Sequence, residues 1–187
     1  DNPEDTLAFS TQEVEVIPST SEVIKKDSVV MYKGTRYRGY VYINPSKMKV
    51  IKTVYSDEGI GVDNVYYDNV IHICVYEGKK LLYGKDITKK VFATIFPEEV
   101  LNQTILSDMN FINVDGKGYH YEAMLRIPES SVYHLVSLTI GTDKQLHIKW
   151  WSKNSTIKQY LLKKSFSYLL LFPEGLALFS RSITSSF

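Results

Sequence analysis

Cysteine occurs once in these 187 residues, at Cys74, which excludes an internal disulfide and any metal centre built from several cysteines. An excess of charge of one sign is also missing: 22 Lys and Arg stand against 21 Asp and Glu, for a net charge of +1. The lysine pairs at 25–26, 79–80, 89–90 and 163–164 are spread among acids rather than gathered in a block. Nucleic-acid binding rests on clustered phosphate-neutralising cations, so no nucleic-acid partner is expected. Long apolar runs are absent as well. The run at 168–172 is far short of the roughly 20 residues of a membrane-spanning helix, and the chain reads as soluble. The sequence contains no G-x-S-x-G, H-E-x-x-H, P-loop or dinucleotide-type glycine run, so no catalytic residue and no cofactor is expected.

What is abundant is tyrosine, 14 residues, a side chain suited to pleated, half-buried surfaces. The clearest pattern is Tyr119, Tyr121, Ala123, Leu125 and Ile127 alternating with His120, Glu122, Met124 and Arg126. Successive side chains of a strand point to opposite faces, so this stretch has one face on a core and one toward water. The same rhythm runs from Val29 to Trp151 and predicts a mainly β protein: an antiparallel meander forming a β-sandwich or a partly open barrel. Residues 1–27, acidic at first and then rich in Ser and Thr, read as a polar tether with at most one short strand around Val14 and Val16. Residues 28–152 form the β-rich domain, and 153–187 an apolar C-terminal extension without a clean period.

Within the domain, residues 35–55 read as a hairpin turning at Asn44, Pro45 and Ser46, because proline presets a turn torsion and Asn and Ser bond nearby backbone. Residues 65–76 read as one long strand, or two broken at Asp68 and Asn69, followed by a tight turn at Glu77, Gly78 and Lys79. A short helix is predicted over 97–105, since proline suits the first helical position and Glu98 and Glu99 suit the positive end of the helix dipole. A single turn is expected before it, over 88–93. Hairpins follow at Asp115, Gly116, Lys117 and Gly118 and again over 141–144.

Four segments, Tyr67-Asp68-Asn69, Ile87-Thr88-Lys89-Lys90-Val91-Phe92, Pro97-Glu98-Glu99-Val100-Leu101 and Asp115-Gly116-Lys117-Gly118-Tyr119-His120, carry a resemblance to a family. The stretch 62–150 resembles an uncharacterised domain-of-unknown-function family of secreted lipoproteins from gut Gram-negative bacteria. That resemblance implies a lipid-anchored cysteine upstream of Asp1, a tether over residues 1–27, and an extracytoplasmic location at a bacterial membrane, facing the periplasm or the cell surface. It supplies no catalytic residues.

Three groups of side chains are candidates for chemistry. His120, Glu122 and His147 share the polar parity of neighbouring strands and are of zinc-ligand type, but their spacing matches no metal motif, and an exposed polar sheet face is the preferred reading. Asp57, Glu58, Asp63, Asn64 and Asp68 offer hard oxygen ligands without the calcium-loop pattern. The preferred site is the row Arg36, Arg38, Tyr40 and Tyr42, where guanidinium groups and aromatic rings could stack on a sugar or grip a protein. The expected function is a non-enzymatic binding or structural module of the bacterial cell envelope, its partner a glycan or an envelope protein. The competing reading is a glycan-active hydrolase drawing its carboxylates from Asp57, Glu58, Asp63 and Asp68.

Overall fold

A computed structural model describes the backbone of Gln12–Val16 and residues 22–150 in full. The C-terminal extension lies outside the described residues, as does Trp151. Two sheets build the domain. The larger contains β1 (Gln12–Val16), β2 (Ile24–Tyr32), β3 (Thr35–Tyr55), β4 (Gly61–Glu77) and β5 (Lys80–Ile87). The smaller contains β6 (Ile105–Asp115), β7 (Gly118–Arg126), β8 (Tyr133–Gly141) and β9 (Leu146–Trp150), in that order across the sheet. The fold is mainly β, a sandwich, and among the described residues neither sheet closes into a barrel.

In the larger sheet β3 lies between β2 and β4, and the far edge of β4 is shared. β1 pairs with its first residues and β5 with its last. Every pairing is antiparallel except β1 with β4, which is parallel. Tyr37, Gly39, Val41 and Ile43 of β3 and Ile71, Ile73 and Val75 of β4 face inward, meeting Phe111, Tyr121, Ala123, Leu125, Val136 and Leu138 of the smaller sheet in one core. The alternation of residues 119–125 thus becomes one packed face, with Tyr121 the largest of the fully buried side chains. Burying each such apolar side chain contributes roughly 1.5–3 kcal/mol.

Three local expectations change. Residues 35–55 do not form a hairpin; β3 is a single strand of 21 residues. The Asn44-Pro45-Ser46 signal marks a bulge instead, where Pro45 pairs with Asn69, Lys49 with Tyr67, and Ser46, Lys47 and Met48 together oppose Asp68. The Ser46 hydroxyl donates to the Asp68 carbonyl (2.8 Å) and accepts from the Met48 amide (3.2 Å), standing in for a ladder partner. A bulge is also one of the few places a strand tolerates a residue lacking an N–H. Strand pairing reaches into the segment read as a tether: β1 pairs with β4, and β2 pairs with β3 from Ile24 onward, because Lys25 and Asp27 continue the two-residue rhythm upstream of residue 28. The helix spans Glu98–Asn102, with Pro97 capping it and Ile105 already in β6; the turn before it is a 3-10 helix, Lys89–Thr94.

No described helix is long and apolar enough to cross a membrane. Phe96, between the two short helices, belongs to the core, and Trp150 packs against it with ring centroids 5.0 Å apart.

Candidate functional site

Residues paired across an antiparallel ladder share a face. The register therefore assembles the outer face of the larger sheet from Lys25, Asp27, Val29 and Met31 of β2, Tyr42, Tyr40, Arg38 and Arg36 of β3, and His72, Cys74 and Tyr76 of β4. The four preferred residues lie together on it. Tyr40 is central: its ring centroid is 6.1 Å from that of Tyr42, at an interplanar angle of 32°, and 5.9 Å from that of Tyr76, edge to face. Two cations bracket it, with Lys25 Nζ 4.8 Å and Arg38 Cζ 5.2 Å from the ring centre. Lys25 also reaches within 5.6 Å of the Tyr42 ring.

Arg38 is held by Asp27, donating from Nε to Oδ1 at 2.9 Å and from a terminal nitrogen to Oδ2. That hydrogen bond holds the Asp27 carboxyl below its ordinary range and raises the guanidinium. Around these rings lies an open depression of roughly 420 Å³, lined by Lys25, Arg38, Tyr40, Tyr42, Tyr76, Gly78 and Lys79. Arg36 sits one pair further along the face, beside Met31, and does not line it. Beneath the rings, Cys74 is opposite Tyr40 in register and only 5% exposed; burial pushes its thiol up, as expected of a packed thiol.

Sequence reasoning missed Lys25, Asp27, Tyr76 and Lys79. The first two fell in the segment read as tether, although their alternation with Lys26 and Ser28 continues the strand period. Tyr76 and Lys79 arrive through pairing distant in sequence, which no local pattern reveals.

The other candidates disperse. Asp68 is fully buried, Asp63 accepts from the Thr53 hydroxyl at 2.7 Å, and Asp57 and Glu58 sit exposed in the loop between β3 and β4. With Asp68 enclosed in the interior and the other three carboxylates at the surface, the set proposed for glycan hydrolysis does not assemble among the described residues.

On the outer face of the smaller sheet, His120, Thr139 and His147 lie in one row across β7, β8 and β9, with Glu122 in the next. Among the described residues no set of three His, Cys, Asp or Glu side chains is gathered closely enough to hold a metal ion. Instead His120 bonds the Asp115 carboxylate through Nε2 (2.7 Å) and the Thr139 hydroxyl through Nδ1 (2.9 Å). The His120 bond holds Asp115 below its ordinary range. His147 faces Asp143 at 3.5 Å. The order carboxylate, imidazole, hydroxyl resembles an acyl-transfer relay, but Thr139 is mid-strand, flanked on both sides by paired strands. An oxyanion needs convergent donors free of such ladders, so this row is a hydrogen-bonded sheet face.

The fold makes this chain a mainly-β sandwich domain with an open face rich in tyrosine and cations. It belongs to a family described as a domain of unknown function (DUF4738), whose model matches residues 2–148. No curated protein matches the chain.

Proposed function

We propose that this domain is a non-enzymatic binding module of the bacterial cell envelope that holds its ligand on the outer face of the larger sheet. The observation that carries this reading is the arrangement around Tyr40: three tyrosine rings and two bracketing cations, displayed on an open concavity. Tyr and Arg give large contact area at low entropic cost and dominate binding hot spots. A sheet is also a rigid mount, so little order is lost when a ligand docks.

The extracytoplasmic, lipid-anchored location is part of the same proposal. It is supported by the likeness of the Tyr67-Asp68-Asn69 and Asp115-Gly116-Lys117-Gly118 segments to secreted lipoproteins of gut bacteria. Incorporation of a fatty-acid label by the full gene product in its host tests it, and an unlabelled, cytosolic product would refute it.

The binding site is tested by screening the domain against a glycan array alongside Tyr40→Ala and Tyr42→Ala. Binding by the parent that both variants lose is expected. A parent that binds nothing, or variants that bind as well as the parent, would remove the face as the site.

A further inference from the structure

The proposed face has a polarity that narrows its ligand. The π-faces of Tyr40 and Tyr42 are not bare platforms: Lys25 lies over both rings and Arg38 over Tyr40. A neutral sugar seeking to stack there must first displace a cation. An incoming anion meets those cations where they already sit, held by the ring quadrupoles and, for Arg38, by Asp27.

The charge balance points the same way. The depression is lined by Lys25, Arg38 and Lys79, three tyrosines and Gly78, with no carboxylate in its lining. Asp27, beside it, is engaged by Arg38. Among the described residues Lys25 and Lys79 enter no ion pair. A chain of nearly zero net charge therefore gathers an excess of positive charge on one tyrosine-lined patch, three cations against the single carboxylate of Asp27. The partner that complements it carries negative charge and many hydroxyls, because each tyrosine offers an O–H that both donates and accepts. The concavity is broad and open rather than a deep slot, which suits a chain laid across it.

We infer that the ligand is an acidic saccharide, its ring substituents carboxylate or sulfate, bound with the anionic group between Lys25, Arg38 and Lys79 and the sugar hydroxyls against Tyr40, Tyr42 and Tyr76. This rests on the binding reading above and specifies it. The carboxylate and sulfate forms share one recognition chemistry. Lysine and arginine donate charge-assisted hydrogen bonds to either, roughly twice as strong as neutral ones.

Calorimetric titration separates the possibilities, using polygalacturonate as the carboxylated probe, chondroitin sulfate as the sulfated probe and mannan as the neutral one, with single-stranded DNA as a non-saccharide polyanion. At least one acidic saccharide binds while mannan does not. Its affinity falls as salt rises from about 0.05 to about 0.5 M, because the Debye length shrinks several-fold over that range. Lys25→Gln and Lys79→Gln each weaken binding roughly tenfold, the scale of one lost charge-assisted hydrogen bond, and thermal unfolding curves matching the parent confirm that both variants are folded. Mannan binding that survives both lysine variants but is lost in Tyr40→Ala overturns the charge inference and leaves the face as the site. DNA binding as tight as that of the best saccharide overturns the saccharide assignment. Saccharide binding that Tyr40→Ala leaves intact, or no binding to any probe, overturns the inference together with the site.

Discussion

The Lys89 ammonium lies 3.3 Å from Oδ2 of Asp68, a carboxylate with no solvent exposure, and donates to the Thr104 carbonyl at 2.9 Å. Oδ1 of Asp68 accepts from the Leu106 amide at 2.8 Å, and the neighbouring Asn69 side chain donates to the Leu106 carbonyl at 3.0 Å. Two side chains of β4 thus hold the backbone at the start of β6, and one cation from the 3-10 helix neutralises the charge this requires. The larger sheet, the helical connection and the smaller sheet meet at this point.

Removing one member of such a pair leaves a buried charge uncompensated, which costs about 3–5 kcal/mol. Asp68→Asn keeps an acceptor for the Leu106 amide but leaves Lys89 unpaired, so it should destabilise on that scale. Adding Lys89→Met should recover part of the loss, with a coupling of about 1–3 kcal/mol in a double-mutant cycle read by urea unfolding. Strictly additive effects would mean that the two groups do not act as a pair.

Gly39 of the larger sheet packs directly against the Phe111 ring of the smaller one. A Cβ there would come 2.6 Å from Cγ of Phe111 and closer still to the adjoining ring carbon, inside the space the ring occupies. Gly39→Ala should cost about 1–3 kcal/mol through overpacking. Combining it with Phe111→Leu, which vacates that space, should cost less than the two single changes summed. If Gly39→Ala leaves the unfolding midpoint unchanged, the sheets are not packed this closely.

Much of this architecture can be read locally. The two-residue period of 119–127 and of 134–140 needs only side-chain alternation, and the glycines at 116 and 118 announce their turn without tertiary help. The bulge is another matter. Asn44-Pro45-Ser46 has the composition of a turn, and what keeps it within a strand is Asp68, 22 residues beyond Ser46, drawn inward by Leu106 and Lys89. The segments containing Asp68, Asn69 and Lys89 also carried the family resemblance, and the structure gives them a physical role as the buried tie between layers. For the site, alternation placed Arg36, Arg38, Tyr40 and Tyr42 on one outward face. Which cations would cover Tyr40 depended on the register of β2 and on the turn after β4, and parity within one strand says nothing of either.

His134 ties stability to pH. It is 5% exposed, faces inward from β8 opposite Leu125, and stacks on Phe96 with centroids 5.3 Å apart; its Nδ1 has no hydrogen-bond partner among the described residues. Burial disfavours the imidazolium and lowers its pKa from the ordinary 6.5. Above 6.5 both folded and unfolded chains carry the neutral ring, and the group contributes no pH dependence. Below 6.5 the unfolded chain takes up a proton that the folded one refuses, so stability falls with pH, at up to about 1.4 kcal/mol per unit, until the folded ring titrates as well. Asp115, held below its ordinary 3.8, adds stability that is lost in a lower window. His134→Phe keeps the stacking with Phe96 and cannot be protonated. Its stability relative to the parent, from urea unfolding, should be flat above 6.5 and grow steadily below it. Parallel profiles, or an imidazole NMR titration in the folded parent with its midpoint at or above 6.5, would show that this ring is not held neutral by the core.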